Sequence, residues 1–377
     1  MEQLKDAAES LHVAGSWDTS AVVTPVIREP DEYLKRGLTQ LETGESWLLE
    51  PQMIDKNPCL WRPGIRIGVM PGSWYHKNEC FGPVLGLMRV DSIEEAIKIQ
   101  NSSDFGLTGG LHSLDPKEIE LWRDQVEVGN AYINRSTTGA IVQRQPFGGW
   151  KDSCVGPGPK AGGPNYVAAF CRWKQTDLPK KQADLSPAVS KILEALSDMA
   201  VQSQSMDQIN AAAQSYAYWW KHEFSVEHDP SQIRGETNHF RYRPRQFHLF
   251  RVNTADDFAV EAFALALIAC QTVGQKLEVS GGESLSFILE FLEKTQSSLF
   301  KFQVESETEF VGRLRDYRRQ SSLRIVGNYD PHSFAPAKTG NIPIIPSQPL
   351  LNGRIELLNY LREQSMTEIV HRYGNIV

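Results

Sequence analysis

The sequence predicts an α/β protein, in which a parallel sheet in the first half is followed by a second, Rossmann-like α/β domain. Three observations predict it. Strand-length apolar runs alternate with capped helices from Pro83 to Asn134, strand signals vanish from Lys174 to about Ser205, and the alternation resumes beyond Met206. The expected divisions are therefore residues 1–175, a connector over 176–205, and 206–377.

Pro83–Val90 reads as a strand. Ser92-Ile93-Glu94-Glu95 then forms a capping-box pattern, in which Ser92 accepts from the third helical N–H while Glu95 reaches back. Ile93, Ala96, Ile97 and Gln100 share one face of the helix that follows, Phe105-Gly106 breaks it, and Leu107–Leu111 is a strand. Asp115-Pro116-Lys117-Glu118 repeats the capping device, with Pro116 at the first helical position, where a missing N–H costs nothing. Ala131–Asn134 closes the series as a strand, so parallel neighbours joined by right-handed crossovers are expected. A helix over Ala188–Met199 is expected in the connector. Beyond it, Phe247–Val252, Leu277–Val279, Phe300–Val304 and Leu323–Val326 read as strands. Thr254-Ala255-Asp256-Asp257 resembles a capping box for a helix from Ala255 to Val273 that stops at Gly274.

Composition narrows the function. Over 377 residues, 39 Lys and Arg stand against 46 Asp and Glu, for a formal net charge of −7, so no broad positive field exists to hold a phosphate backbone. Nucleic-acid binding is not expected. The longest apolar run, Ala262–Cys270, falls far short of the ~20 residues that cross a bilayer, so no membrane span is expected. The N-terminal MEQLKDAAES has neither a basic nor an apolar signal region, which points to the cytoplasm. Five cysteines without CxxC spacing read as reduced thiols, and nine histidines without HExxH spacing give no expected metal site.

Gly156-Pro157-Gly158-Pro159-Lys160-Ala161 matches a dinucleotide fingerprint in letters only. Two prolines remove donors, and Trp150-Lys151-Asp152-Ser153 does not read as a buried strand, so a surface loop is expected. The turn Asn253–Asp257 carries carboxylates that would repel a phosphate, so the second domain is expected to bind no nucleotide. The informative segments are Asn78-Glu79-Cys80-Phe81-Gly82-Pro83-Val84 and Ile133–Gly149, which place charged or aromatic residues beside Gly and Pro at strand ends.

These segments resemble the E-x-F-G-P and P-F-G-G elements of the aldehyde dehydrogenase superfamily. Gly129–Arg135, Thr138–Val142, Gln145–Gly149 and Gly156–Tyr166 narrow the likeness to L-glutamate γ-semialdehyde (1-pyrroline-5-carboxylate) dehydrogenase, in the form fused to proline dehydrogenase in bacterial proline-utilisation proteins. Phe240–Pro244, Leu351–Gln364 and His371–Asn375 look like the extra C-terminal domain of the longer versions. The resemblance implies that residues 1–175 are the C-terminal part of a catalytic domain and that 206–377 form a non-catalytic α/β domain. It implies NAD as cofactor, with Glu79 accepting from the nicotinamide-ribose hydroxyls and Phe81 packing near the nicotinamide. It further implies that backbone N–H groups at Gly139 and Ala140 grip the substrate's α-carboxylate, that Ser136 or Thr137 adds a hydroxyl, and that Phe147 packs on the aliphatic stem. Cys80 is expected to be a packing residue.

The family attacks its aldehyde with a cysteine in a G-Q-x-C loop upstream of the Glu79 element. Here the sole upstream cysteine is Cys59, in Lys56-Asn57-Pro58-Cys59-Leu60-Trp61, which does not match. No general base or pyrophosphate loop is matched either. No catalytic residue is therefore assigned, and the expectation is a truncated chain, silent by itself. Its expected partners are glutamate semialdehyde and further copies of itself or a full-length subunit. The alternative is a non-catalytic scaffold that supplies oligomer contacts.

Overall fold

Two units meet at residue 104, Met1–Asp104 and Phe105–Val377. The computed structural model describes residues 1–198, 203–254, 256–285, 288, 291, 300–317, 321–345, 347–372 and 375–376.

In the first unit, helices α1 (Glu2–Glu9) and α2 (Glu32–Thr39) precede strands β1 (Ser46–Leu49), β2 (Gln52–Met53), β3 (Trp61–Arg62) and β4 (Gly64–Ile67), helix α3 (Trp74–Lys77), strand β5 (Val84–Leu87) and helix α4 (Ile93–Asn101). Helix α2 starts because the Asp31 carboxylate accepts from Leu34 N at 3.0 Å. It buries Leu34 and Leu38 against Trp61, with Val26, Cys80 and Val84 at the margin. β4 is central, antiparallel to β1 and parallel to β5. From β4 the fully buried Arg66 donates to Glu45 at 2.9 Å and to Gln40 O at 3.0 Å, and its guanidinium lies 4.0 Å from the Tyr75 ring centre. One cation thus ties the end of α2 to the sheet. At α4, Ser92 accepts from Glu95 N as expected, but Glu95 reaches back to Asp91 N, one residue beyond the expected donor.

The second unit opens with β6 (Phe105–Gly106), β7 (Thr108–Leu111), helix α5 (Pro116–Gln125), β8 (Asn130–Ile133) and β9 (Trp150–Lys151). Helices α6 (Pro187–Asp198) and α7 (Ser203–Trp219) follow, then β10 (Glu236–Pro244), β11 (Phe247–Val252), helix α8 (Asp257–Val273), β12 (Lys276–Gly281), β13 (Phe300–Val304), β14 (Ser321–Val326), β15 (Ile344–Ile345) and β16 (Leu361–Ile369). Asp115 caps α5 through Lys117 N, whereas Glu118 accepts from Ser113 and closes no box.

The α/β class with parallel sheets is what the structure holds. β5 and β7, however, belong to different sheets. β7 and β8 are parallel, and β8 pairs next with β16, which pairs antiparallel with β10 in the order β10-β16-β8-β7. The other large sheet is fully parallel in the order β13-β12-β11-β14-β15. Numbered along the chain that is 3-2-1-4-5, the doubly wound order. Its core is helix α8, whose Ala262–Cys270 run is buried throughout, packed with Val189, Ile192 and Leu196 of α6 and Ile209, Ala212 and Tyr216 of α7. Residues expected to be a connector therefore contribute a buried helical face; the expected end of α6, Met199, lies outside the described residues. Ala255 lies outside them too, and α8 is capped by Asp256, which accepts from Ala259 N at 3.0 Å, in place of the expected Thr254. It stops at Gly274 in the left-handed region, φ 76°. Part of the His371–Asn375 motif, Tyr373-Gly374, is also outside the described residues. Among the described residues no helix is long and apolar enough to cross a membrane.

Candidate functional site

In the first unit, Glu79-Cys80-Phe81 links α3 to β5 without regular secondary structure. Cys80 turns inward, its Sγ 3.6 Å from Tyr33 O and against the Leu34–Trp61 cluster. Glu79 and Phe81 turn outward, and Phe81 is 80% exposed. Tight turns hold the segment, with Gly82 N donating to Cys80 O and Val84 N to Gly82 O, both at 2.8 Å. A Cβ at Gly82 would sit 2.4 Å from Leu34 Cδ1, so a larger residue there would force the Leu34 side chain to shift. The outward pair opens onto a cavity of about 350 Å³ that Arg28, Asp31 and Tyr33 also line. Those three residues escaped the sequence reading; the Asp31 cap before a helical pattern was the available signal for that wall.

In the second unit, the chain leaves β8 at Asn134, whose left-handed backbone (φ 56°) is held by a two-way amide contact with Ser113, at 2.9 and 3.1 Å. The loop Ser136–Gln143 is exposed throughout, with Gly139 at φ 77° and open space where a Cβ would stand. Its far end is pinned. Gln145, buried, accepts from Ile141 N at 2.8 Å and donates to Asn238 Oδ1 at 2.7 Å. Asn130 accepts from Gly148 N at 3.1 Å and donates to Pro146 O at 3.2 Å, while Ser365 Oγ donates to the same carbonyl at 2.6 Å. Phe147 is paired through its backbone with Ala161 and leaves its ring partly exposed. Gly139, Ala140 and Phe147 thus share one loop on a rigid base, whereas Glu79 and Phe81 belong to the other unit.

Two expectations need correction here. Trp150-Lys151 is a short buried strand, paired antiparallel with Phe105-Gly106, because Trp150 Nε1 finds Glu363 O at 2.7 Å and Lys151 finds Glu127 at 3.0 Å. The segment after it is not wholly at the surface. Lys160 is 1% exposed and donates to Asn130 Oδ1 at 3.2 Å and to Gly148 O, and burial pulls its amine down to about 7. No helix follows Gly156-Pro157-Gly158, so it is no pyrophosphate loop. All five cysteines are free, and burial pushes the thiols of Cys80, Cys154 and Cys270 up.

Residues 1–176 match the aldehyde dehydrogenase family. The whole chain superposes on proline utilization A (PutA) from Corynebacterium freiburgense with a TM-score of 0.81 and 40% identity, covering 34% of that chain. The 1-pyrroline-5-carboxylate dehydrogenase of Bacillus pumilus (strain SAFR-032) is 33% identical over 181 residues, which are 46% of this chain and 34% of that protein. 1-Pyrroline-5-carboxylate dehydrogenase 2 of Bacillus subtilis (strain 168) is 41% identical over 113 residues, 30% of this chain and 22% of that one. The chain thus spans about a third, or less, of the length of these relatives. Through residues 1–176, it carries an aldehyde dehydrogenase family domain.

Proposed function

We propose that this chain supplies part of an NAD-dependent enzyme that oxidises L-glutamate γ-semialdehyde to glutamate in proline breakdown. The observation that carries the reading is the convergence of Glu79 and Phe81 on one open cavity while Cys80, between them, is packed away. An exposed carboxylate suits a pair of ribose hydroxyls, and a ring free of core packing suits a flat heterocycle. The residues present thus fit the nicotinamide-ribose end of a dinucleotide, which when bound would supply the hydride acceptor. The left-handed Gly139 and its small neighbour Ala140, on a loop pinned at both ends, support main-chain capture of the substrate's carboxylate, with Phe147 beside its stem.

The attacking thiolate is assigned to no cysteine of this chain. Thiols raised by burial at Cys80, Cys154 and Cys270 are the reverse of an activated nucleophile. The doubly wound sheet is given no nucleotide. At its switch point Asn253 donates to Asn328 O and to Glu307, and Asp256 occupies the start of α8, where a phosphate would otherwise bind. In this reading 1–175 is the C-terminal part of a catalytic domain, 206–377 is non-catalytic, and the setting is the cytoplasm. Purified chain given NAD⁺ and pyrroline-5-carboxylate is expected to produce no rise in absorbance from the reduced nicotinamide. Turnover above background that Glu79→Ala abolishes would overturn the assignment of the chemistry to other polypeptide.

A further inference from the structure

Three stretches that the catalytic reading leaves without a task meet at one small cavity in the second unit: Cys154–Gly158, the end of β10 with Arg245, and the start of β16 with Arg362 and Glu363. The antiparallel register brings the last two together, since Arg243 pairs with Arg362 and Arg245 N donates to Tyr360 O at 3.0 Å. We propose that this cavity, between the Arg245 and Arg362 side chains, holds a single halide-sized anion.

The argument is one of charge. Arg245 is 8% exposed. Its Nη2 donates to Pro157 O at 2.9 Å, but its Nε is buried and, among the described residues, has no acceptor. Arg362 is stacked 4.0 Å over the Trp150 ring, and its Nε is likewise buried without an acceptor. Among the described residues no carboxylate stands within ion-pair distance of either guanidinium. The one acid in the cavity wall, Glu363, already accepts from Lys160 N and Asn165 Nδ2, both at 2.7 Å. Lys151, the third cation of the wall, is answered by Glu127. Asn341 spends its amide on Lys151 O and Cys154 O at 2.7 Å. The Cys154 thiol is pushed up by burial and brings no negative charge at neutral pH.

Two guanidiniums therefore border one cavity, Arg245 buried and Arg362 half-buried, each with an orphaned Nε, while Glu127 offsets part of the Arg362 charge. Burial pulls Arg245 down to about 10, and burial together with repulsion from Arg245 does the same to Arg362, so both stay charged at pH 7. A water molecule would satisfy the orphaned N–H groups, whereas an anion would satisfy them and also offset the excess positive charge. Size selects the anion. The cavity measures about 20 Å³, just above the ~10–15 Å³ that one water needs, which suits a single small anion. Gly156 and Gly158, both left-handed at φ 69° and 68°, let the loop fold over this space.

The test uses the whole chain. Crystals grown in sodium bromide should show an anomalous peak between Arg245 and Arg362; its absence at full bromide occupancy elsewhere would overturn the proposal. In solution, the unfolding midpoint should rise by about 2 °C on replacing sodium gluconate with sodium chloride or bromide at constant ionic strength. Arg245→Met should lose that rise, whereas Arg172→Met, an exposed control, should keep it. A halide effect equal in all chains, or none in the unaltered one, would refute the site. Should Arg245→Met fail to fold, the bromide peak in the unaltered chain decides.

Discussion

Lys160 shows how far a single residue escapes a reading in letters. Its run of Gly and Pro looks like surface, yet the strand bridge between Phe147 and Ala161 draws the lysine under the Gly148-Gly149 turn. Burial holds its amine near 7, well below the ordinary lysine value. Between about pH 7 and 10 the unfolded chain keeps a proton that the folded chain has released. Unfolding free energy should then climb with pH in that window, by about 1.4 kcal/mol per unit. Lys160→Met should remove that slope and relieve the cost of the buried charge below pH 7. Urea unfolding of both chains across pH 6–10 checks this, and parallel curves would reject a depressed amine. Glu79 and Phe81 are singled out through the resemblance of Glu79–Pro83 to a family element, and the structure shows both exposed at one cavity with Cys80 turned to the Leu34–Trp61 cluster. The rest of that cavity wall, Arg28 and Tyr33, was not legible, because nothing local says where residues some fifty positions away will lie.

Among elements, the same contrast separates the two large sheets of the second unit. Phe247–Val252 and Phe300–Val304 are found with the limits the sequence suggested, the first as a largely buried run and the second as an edge strand whose Phe300 and Phe302 alternate with polar residues. β10 and β16 were not recognised as strands. Their buried positions, on both faces, hold Asn238, Arg241, Gln364, Ser365 and Thr367, polar groups that satisfy one another, as when Arg241 Nε donates to Gln364 at 2.8 Å and Thr367 to Asn238 at 3.0 Å. A hydropathy pattern cannot see such pairs. β16, like β8, has partners on both sides, and its Ser365 N donates to Gly129 O at 2.9 Å. Proline at that position would delete a ladder donor from a central strand, so Ser365→Pro should destabilise the unit by about 3 kcal/mol or more. Hydrogen exchange should then show protection lost in β8 and β10 together. Loss confined to the residues next to 365 would mean that β16 does not bind the sheet together.

For the molecule as a whole, composition and alternation gave the class correctly; the aldehyde dehydrogenase match ends at residue 176, beside the expected division, while contacts group residues 105–377 as one unit. The expected break near 176–205 falls inside a unit that starts at Phe105, because α6 is buried against α8 and because β7 and β8 share a sheet with β10 and β16. A fragment of residues 105–377 should therefore unfold cooperatively, whereas 206–377, stripped of β8, should expose one side of β16 and aggregate. Circular dichroism and light scattering during heating compare the two, and a soluble, cooperative 206–377 would restore the boundary read from sequence. The pairing of β8 with β16 also has a consequence for biosynthesis. The two strands are separated by roughly 230 residues, so a ribosome working at about 5–20 residues per second leaves β8 waiting roughly 10–50 s for its neighbour. During that interval a nascent chain carries an open template for wrong strands, and trigger-type chaperones have their longest opportunity to act.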